Sequence, residues 1–564
     1  MHLNATGVLH RTADDEADDR QQTLQNIERQ SWKDWPNQAA FQGLDEHRGP
    51  VQLPVKGSIP GWAAGILYRT GPGQGSIDTT SKGAHEVTHW FDGFAHTHKF
   101  ALHQTGGSCS VVYSSRRQSE AHVDQIKKMG WRCSTSFGQR ADPCIGIFAK
   151  FMSCFVPQHP GNNVVCLPDL PGLAASPKGS MHISSDHATL QEIDRQTLEP
   201  VGMAHQRLLH PQLTGPLSCA HAQRDAVSGD WFNYNLSVGR VATYRVFRVS
   251  AATGRTDILA TLSDPSLPAA YLHSFFLTPS YVVLCIPSTH FAWNGLKILW
   301  ENNLVDALKP FDPARRCQWA VIDRRHARGL VARFSTPAGF FFHSVNAFER
   351  LAKSESGLGQ TELLLDLALY DNFDFIHRMY YDVLLDRHDA THKAYFAHDA
   401  YKRSGSRHVR YSFKMPLAPQ TRLQAQSAVA TEVLSIPSPH SGELSTINPA
   451  RATKPYRYVY GATTRGLSTF MDSLVKTDLH TRHAILWSGP AAHSPGEPVF
   501  VPRPGATDED DGIVLSLVLD GSAQKSYLLC LDARTMVEVG RAEADFAIAL
   551  GFHGFHDAAI QDPE

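Results

Sequence analysis

From Gly49 onward the sequence is a succession of short β-type runs separated by Gly, Pro, Asp and Asn, with few long stretches of helical periodicity. Tyr281–Ile286 (YVVLCI), Trp319–Asp323 (WAVID), His408–Lys414 (HVRYSFK), Ile513–Leu519 (IVLSLVL) and Tyr527–Leu531 (YLLCL) are rich in β-branched and aromatic residues, and turn pairs such as Asp520-Gly521 punctuate them. A chain of 564 residues is too long for one ordinary compact domain unless its modules close around a shared axis. Many short strands with no dividing linker therefore predict an all-β fold, a β-propeller or a set of sandwiches, with the propeller favoured. No clean blade-length repeat is visible.

Two kinds of segment depart from this texture. Residues 1–45 read as a polar tail with a short helix over Asp19–Gln30, leaving 46–564 as a single domain. Val123–Gly130, Ile145–Phe155 (IGIFAKFMSCF) and Phe291–Leu308 are apolar and partly helical in pattern. They are expected to cap the fold or to face lipid.

Lys and Arg number 53 against 55 Asp and Glu, so the chain has no broad field for phosphate backbones and nucleic acid is excluded as a partner. The nine cysteines form no CxxC pairs, and the N-terminal stretch is polar and acidic rather than signal-like. Both features predict reduced thiols and a cytoplasmic protein. No run reaches the roughly 18 apolar residues of a spanning helix, so membrane contact is expected to be peripheral.

Thirty histidines make any single His-x-x-His spacing unremarkable, and context must select among them. His85-Glu86-Val87-Thr88-His89 matches the zinc-protease pattern H-E-x-x-H, but its flanks read as a strand entering a turn. On a strand the two histidines stand about 13 Å apart, too far to share one ion. Gly71-Pro72-Gly73-Gln74-Gly75 lacks the G-K-[ST] of a phosphate loop and reads as a turn.

His89-Trp90-Phe91-Asp92-Gly93-Phe94 with His98-Lys99-Phe100, preceded by Leu67-Tyr68-Arg69-Thr70-Gly71-Pro72-Gly73, resembles the signature of the carotenoid cleavage oxygenases. The resemblance runs from about Gly57 to Phe555. Four family patterns for ligand histidines occur in order: Ala220-His221-Ala222, His273-Ser274-Phe275-Phe276, Phe342-His343-Ser344-Val345-Asn346 and Gly551-Phe552-His553-Gly554.

That resemblance implies a seven-bladed β-propeller with a cap of loops and short helices. An Fe(2+) on its axis would be held by His221, His273, His343 and His553, the catalytic and metal-binding set. Glu443 and Glu497 resemble the carboxylates that brace such ligands from behind. Asp186, in Ser185-Asp186-His187-Ala188-Thr189, stands where the family has a glutamate; being shorter, it is expected to reach its histidine only through water.

The implied reaction is cleavage of a carotenoid double bond by dioxygen to give aldehydes, either β-carotene to retinal or torulene to an apocarotenal. Stilbene cleavage is the alternative within the family, but its lysine is replaced here by Ser185. A propeller binding module without catalysis is the alternative outside it. A lipid-soluble substrate further implies docking on membranes, through Ile147, Phe148, Phe151, Met152, Phe155, Leu296, Ile298 and Leu299 with Lys150 and Lys297 among the head groups.

Overall fold

The computed structural model describes residues 7–42, 44–140, 161–173, 179–353 and 359–558. The β-type runs form antiparallel ladders. Tyr281–Ile286 pairs with Cys317–Asp323 in the register Val283↔Val321, and its six residues are all buried.

Among the described residues there are seven sheets of four to six strands and one two-stranded ribbon. Six of the seven sheets are built mainly from consecutive strands, over 165–205, 217–262, 276–336, 340–437, 443–487 and 493–543. The seventh is built on Gly65–Pro72, Ala95–Thr105 and Ser108–Arg117. Hairpin connection makes chain neighbours sheet neighbours, so each run of sequence yields one local module.

Successive modules pack through their faces. Trp319 is completely buried and stacks on Phe334 at 5.2 Å, and Phe334 stacks in turn on Phe413 of the following sheet at 4.1 Å. Burying one such side chain stabilises the fold by about 2–3 kcal/mol.

Both ends of the chain are woven into distant sheets. His553–Asp557 pairs with Gly65–Pro72, in the register His553↔Thr70. Val55–Gly57 pairs with Glu538–Glu543, and Val8–Arg11 with Ala484–Trp487.

The N-terminal segment is therefore no tail from Gly7 on. Its helix spans Glu16–Glu28, and Trp32, Trp35, Ala40 and Phe41 are buried beyond it. Trp35 donates its indole N–H to Ser494 Oγ at 2.9 Å, while Asp19 accepts from His440 Nε2 at 2.9 Å. A few large side chains within a polar stretch supply the anchoring that average polarity conceals.

The short helices lie between strands. Glu120–Met129 forms the first of the expected helices and ends on Gly130 in the left-handed conformation, at φ 81°. Residues 371–406, a long excursion between two strands of one sheet, carry Asp374–Arg378, Tyr381–Leu384 and Ala390–Phe396. Ile145–Phe155 lies outside the described residues.

The stretch Phe291–Leu308 folds as the short turns Ala292–Gly295, Leu296–Glu301 and Leu304–Ala307. Trp293, Leu296, Leu299 and Trp300 are 60, 43, 63 and 61% exposed, whereas Ile298, expected on the same apolar rim, is 5% exposed and belongs to the core. Lys297 donates to Asp306 O at 2.6 Å, folding back on the protein instead of pointing outward. No helix among the described residues is long and apolar enough to cross a membrane.

Candidate metal centre

The four histidines come from four sheets. His221 lies between Leu217–Ser218 and Gln223–Arg224, His273 just precedes Phe276–Leu277, His343 sits in Phe340–Lys353, and His553 opens His553–Asp557. One nitrogen from each lies within 4.8 Å of the other three.

Nε2 of His221 is 3.1 Å from Nε2 of His273, and Nε2 of His343 is 3.2 Å from Nε2 of His553. Ligands at right angles on an ion with ~2.1 Å metal–nitrogen bonds stand about 3.0 Å apart, so both separations fit a shared ion.

Tautomers sharpen this test. His343 Nδ1 meets Glu443 Oε2 at 2.6 Å and His553 Nδ1 meets Glu497 Oε1 at 2.6 Å. A carboxylate only accepts, so each neutral ring carries its proton on Nδ1 and presents a bare lone pair at Nε2. Two facing lone pairs at 3.2 Å repel unless a cation lies between them. Protonation does not provide it readily: burial, followed by the neighbouring imidazoles, holds His221 well below its ordinary range, and burial pushes His553 down to about 4. The donor set fits a divalent ion of imidazole preference.

Asp186 reaches His273 directly, in place of the expected water bridge. Its Oδ2 lies 2.9 Å from His273 Nδ1 and accepts the Tyr271 hydroxyl at 2.8 Å, while Oδ1 accepts the Ala220 N–H at 3.2 Å. The loop after Ser180–Ser184 brings the carboxyl close enough to offset the missing methylene. His221 has no carboxylate partner on its other nitrogen among the described residues.

Glu497 also accepts the Gly554 N–H at 2.7 Å, and the fully buried Arg69 binds Glu497 O at 3.2 Å and Leu550 O at 2.9 Å. Arg69 of the Leu67–Gly73 motif thus spans the two segments that carry Glu497 and His553. Gly71 has a steric reason to lack a side chain, since a Cβ there would lie 2.4 Å from Gly551 Cα.

Serines clasp neighbouring ligand segments. Ser274 Oγ donates to Phe342 O and accepts the Ser344 N–H, both at 2.7 Å, and Ser344 Oγ donates to Phe275 O at 2.8 Å. The residue after each of these two histidines therefore fixes the spacing of both.

A cavity opens beside the cluster and is lined by His273, His343 and His553. The 89–94 motif builds part of its wall. Trp90 and Phe91 face the space, and Asp92 accepts the N–H groups of Phe137 and Gly138 at 2.7 Å each. His89 is committed to Ile376 O at 3.0 Å and His85 lies on the ribbon strand Gly83–Glu86, so H-E-x-x-H holds no ion.

Sequence reasoning missed much of the cavity wall. Phe342 and Phe552 each precede a histidine of the cluster, and that adjacency was a usable signal. Phe375, Met379, Phe470 and Met471 come from distant loops and carried none.

A model of the retinal pigment epithelial membrane protein family matches residues 40–558. The chain is 54% identical to the torulene dioxygenase of Fusarium fujikuroi over 574 aligned positions, covering 99% of each chain. It is 50% identical to the carotenoid dioxygenase of Neurospora crassa, covering 97% of this chain and 95% of that one. The cobalt-substituted apocarotenoid oxygenase of Synechocystis is similar in fold, with a TM-score of 0.67 and 20% identity over 93% of this chain and 98% of that one. The chain belongs to the retinal pigment epithelial membrane protein family, the carotenoid oxygenase family whose motifs it carries.

Proposed function

We propose that this protein is a seven-bladed propeller enzyme that cleaves one carbon–carbon double bond of a carotenoid with dioxygen. Both oxygen atoms are placed on the former double-bond carbons, so two aldehydes account for every atom. The observation that carries this reading is the set of four converging imidazoles, two with bare lone pairs 3.2 Å apart, on the wall of an aromatic cavity. The torulene and carotenoid dioxygenases that resemble it along nearly its whole length support the same substrate class.

His221, His273, His343 and His553 would hold iron(II). When bound, iron supplies redox chemistry with dioxygen that a d¹⁰ ion such as zinc does not. Asp186, Glu443 and Glu497 fix the Nδ1–H tautomers and so keep three Nε2 atoms available. Trp90, Phe91, Phe342 and Phe552 orient the polyene and exclude water, and their ring faces favour positive charge developing along it.

Ser185 donates its hydroxyl to Asn162 Oδ1 at 2.8 Å, which places a committed neutral group where a stilbene cleaver needs a cation for its phenol. Carotenoids are therefore preferred over stilbenes. A scaffold without catalysis has no need of four imidazole nitrogens converging on one point.

The substrate dissolves only in lipid, so we also assign Trp293, Leu296, Leu299 and Trp300 to docking on a membrane surface, with the indoles at the interface. Incubating the iron-loaded protein with β-carotene, torulene and resveratrol, then identifying the aldehydes, tests the activity. Carotenoid-derived aldehydes are expected; products from resveratrol alone would overturn the substrate class.

A further inference from the structure

The cavity is mostly apolar, but one part of its lining is polar: Asp92, Arg132, Asn163, Ser185 and His187. Buried polar groups are normally paired, so each can be asked where its hydrogen bonds go.

Four of the five are accounted for within the protein. Arg132 pairs with Asp92 at 3.0 Å, and Asp92 also holds the Phe137 and Gly138 amides. Asn163 donates to Phe91 O at 3.2 Å and Gly93 O at 3.1 Å, and Ser185 donates to Asn162. The imidazole of His187 has no hydrogen-bond partner among the described residues.

The cavity's other lining carboxylates are turned to the histidine cluster, Asp186 toward His273 and Glu443 toward His343. His187 belongs to neither contact. It shares the lining with Trp90, Phe91 and Phe137, and its burial, opposed by the Asp186 carboxylate and helped by the Arg132 charge, holds the ring below the ordinary histidine range. A neutral imidazole offers one N–H, and here the ring that carries it lines a mostly apolar space without a partner among the described residues.

We propose that His187 is a specificity-determining residue that donates a hydrogen bond to the carbonyl oxygen of a polyene aldehyde bound in the cavity. This rests on the reading of the cavity as a carotenoid site. A carbonyl is the group that the proposed cleavage creates, and it accepts without donating, which complements a single N–H. A pure hydrocarbon gains nothing from His187, so the residue separates oxygenated from unoxygenated polyenes.

The test uses the full-length, metal-loaded protein without oxygen, so that bound ligand persists. An apocarotenal, its alcohol and β-carotene are titrated into the wild type, His187→Phe and His187→Gln, and the carbonyl stretch of the bound aldehyde is recorded by Raman scattering. The wild type should lower that stretch relative to His187→Phe and bind the aldehyde about three- to tenfold more tightly than His187→Phe does, the worth of one hydrogen bond. His187→Gln, which restores an N–H, should recover part of both effects. Hydrocarbon affinity serves as the internal reference.

An unshifted carbonyl stretch with equal aldehyde affinity in the wild type and His187→Phe overturns the proposal. So does a loss confined to the alcohol. If none of the three polyenes binds the wild type, the carotenoid reading itself has failed. Should His187→Phe not fold, comparing the wild type with His187→Gln and His187→Leu gives the same decision.

Discussion

Glu443 Oε2 stands 2.6 Å from His343 Nδ1, while the other oxygen of that carboxylate has no hydrogen-bond partner among the described residues. One contact therefore carries the whole orienting role of Glu443 toward His343. Glu443→Gln should weaken metal binding by about 10–100-fold, the usual loss when such a partner goes. Glu497→Gln should do the same for His553, and Asp186→Asn for His273. Titration with cobalt(II), followed by its visible absorption, measures all three; unchanged affinity throughout would mean these carboxylates do not orient ligands.

The four histidines should act as a set. The wild type is expected to hold about one iron per chain, and His221→Ala, His273→Ala, His343→Ala and His553→Ala should each lose iron and carotenoid cleavage together. Metal analysis after gel filtration reads the first and aldehyde yield the second. Wild-type turnover in any one variant removes that residue from the set.

Docking is testable on the exposed turn. Replacing Trp293, Leu296, Leu299 and Trp300 with Ser removes side chains worth about 2 kcal/mol each in lipid. Liposome sedimentation should fall by at least about tenfold while iron content and melting temperature hold. Because these side chains are exposed, unfolding is not expected, and unchanged sedimentation would assign docking elsewhere. Ile298→Ser, by contrast, should destabilise the fold without a specific effect on lipid, since Ile298 is buried.

Acid should destabilise the metal-free protein through its buried neutral histidines. His96 has neither ring nitrogen paired among the described residues, and burial, reinforced by Arg117, pushes its pKa down to about 3. The unfolded chain takes up the proton near pH 6.5 and the folded one does not, so stability present above 6.5 is lost as pH falls toward 3. This residue alone contributes a loss of about 1.5 kcal/mol between pH 6.5 and 5. Melting curves in chelator should show a shallower pH dependence for His96→Leu than for the wild type; parallel curves would remove His96 from the effect.

The strand texture was legible because β propensity and turn residues act locally, as in Tyr281–Ile286. The four histidines were legible because each sits in a recognisable family pattern. Other features depend on tertiary placement. Asp186 reaches His273 because of where its loop lies, which side-chain length alone could not reveal. The N-terminal anchoring rests on isolated residues such as Trp32 and Trp35, which leave no periodic trace. Ile298 and Leu299 are adjacent and equally apolar, yet one is core and the other exposed, a distinction set by the turn of a short helix.

The pairing of His553 with Thr70 sets an order of events during synthesis. His221, His273 and His343 are synthesised before His553, and so before the edge that His553–Asp557 completes on Gly65–Pro72. The nascent protein can thus form most of its sheets before the fourth imidazole joins the cluster. A product cut short before Gly551 would lack both His553 and the strand that pairs with Gly65–Pro72, leaving that sheet edge open and three histidines at the cluster.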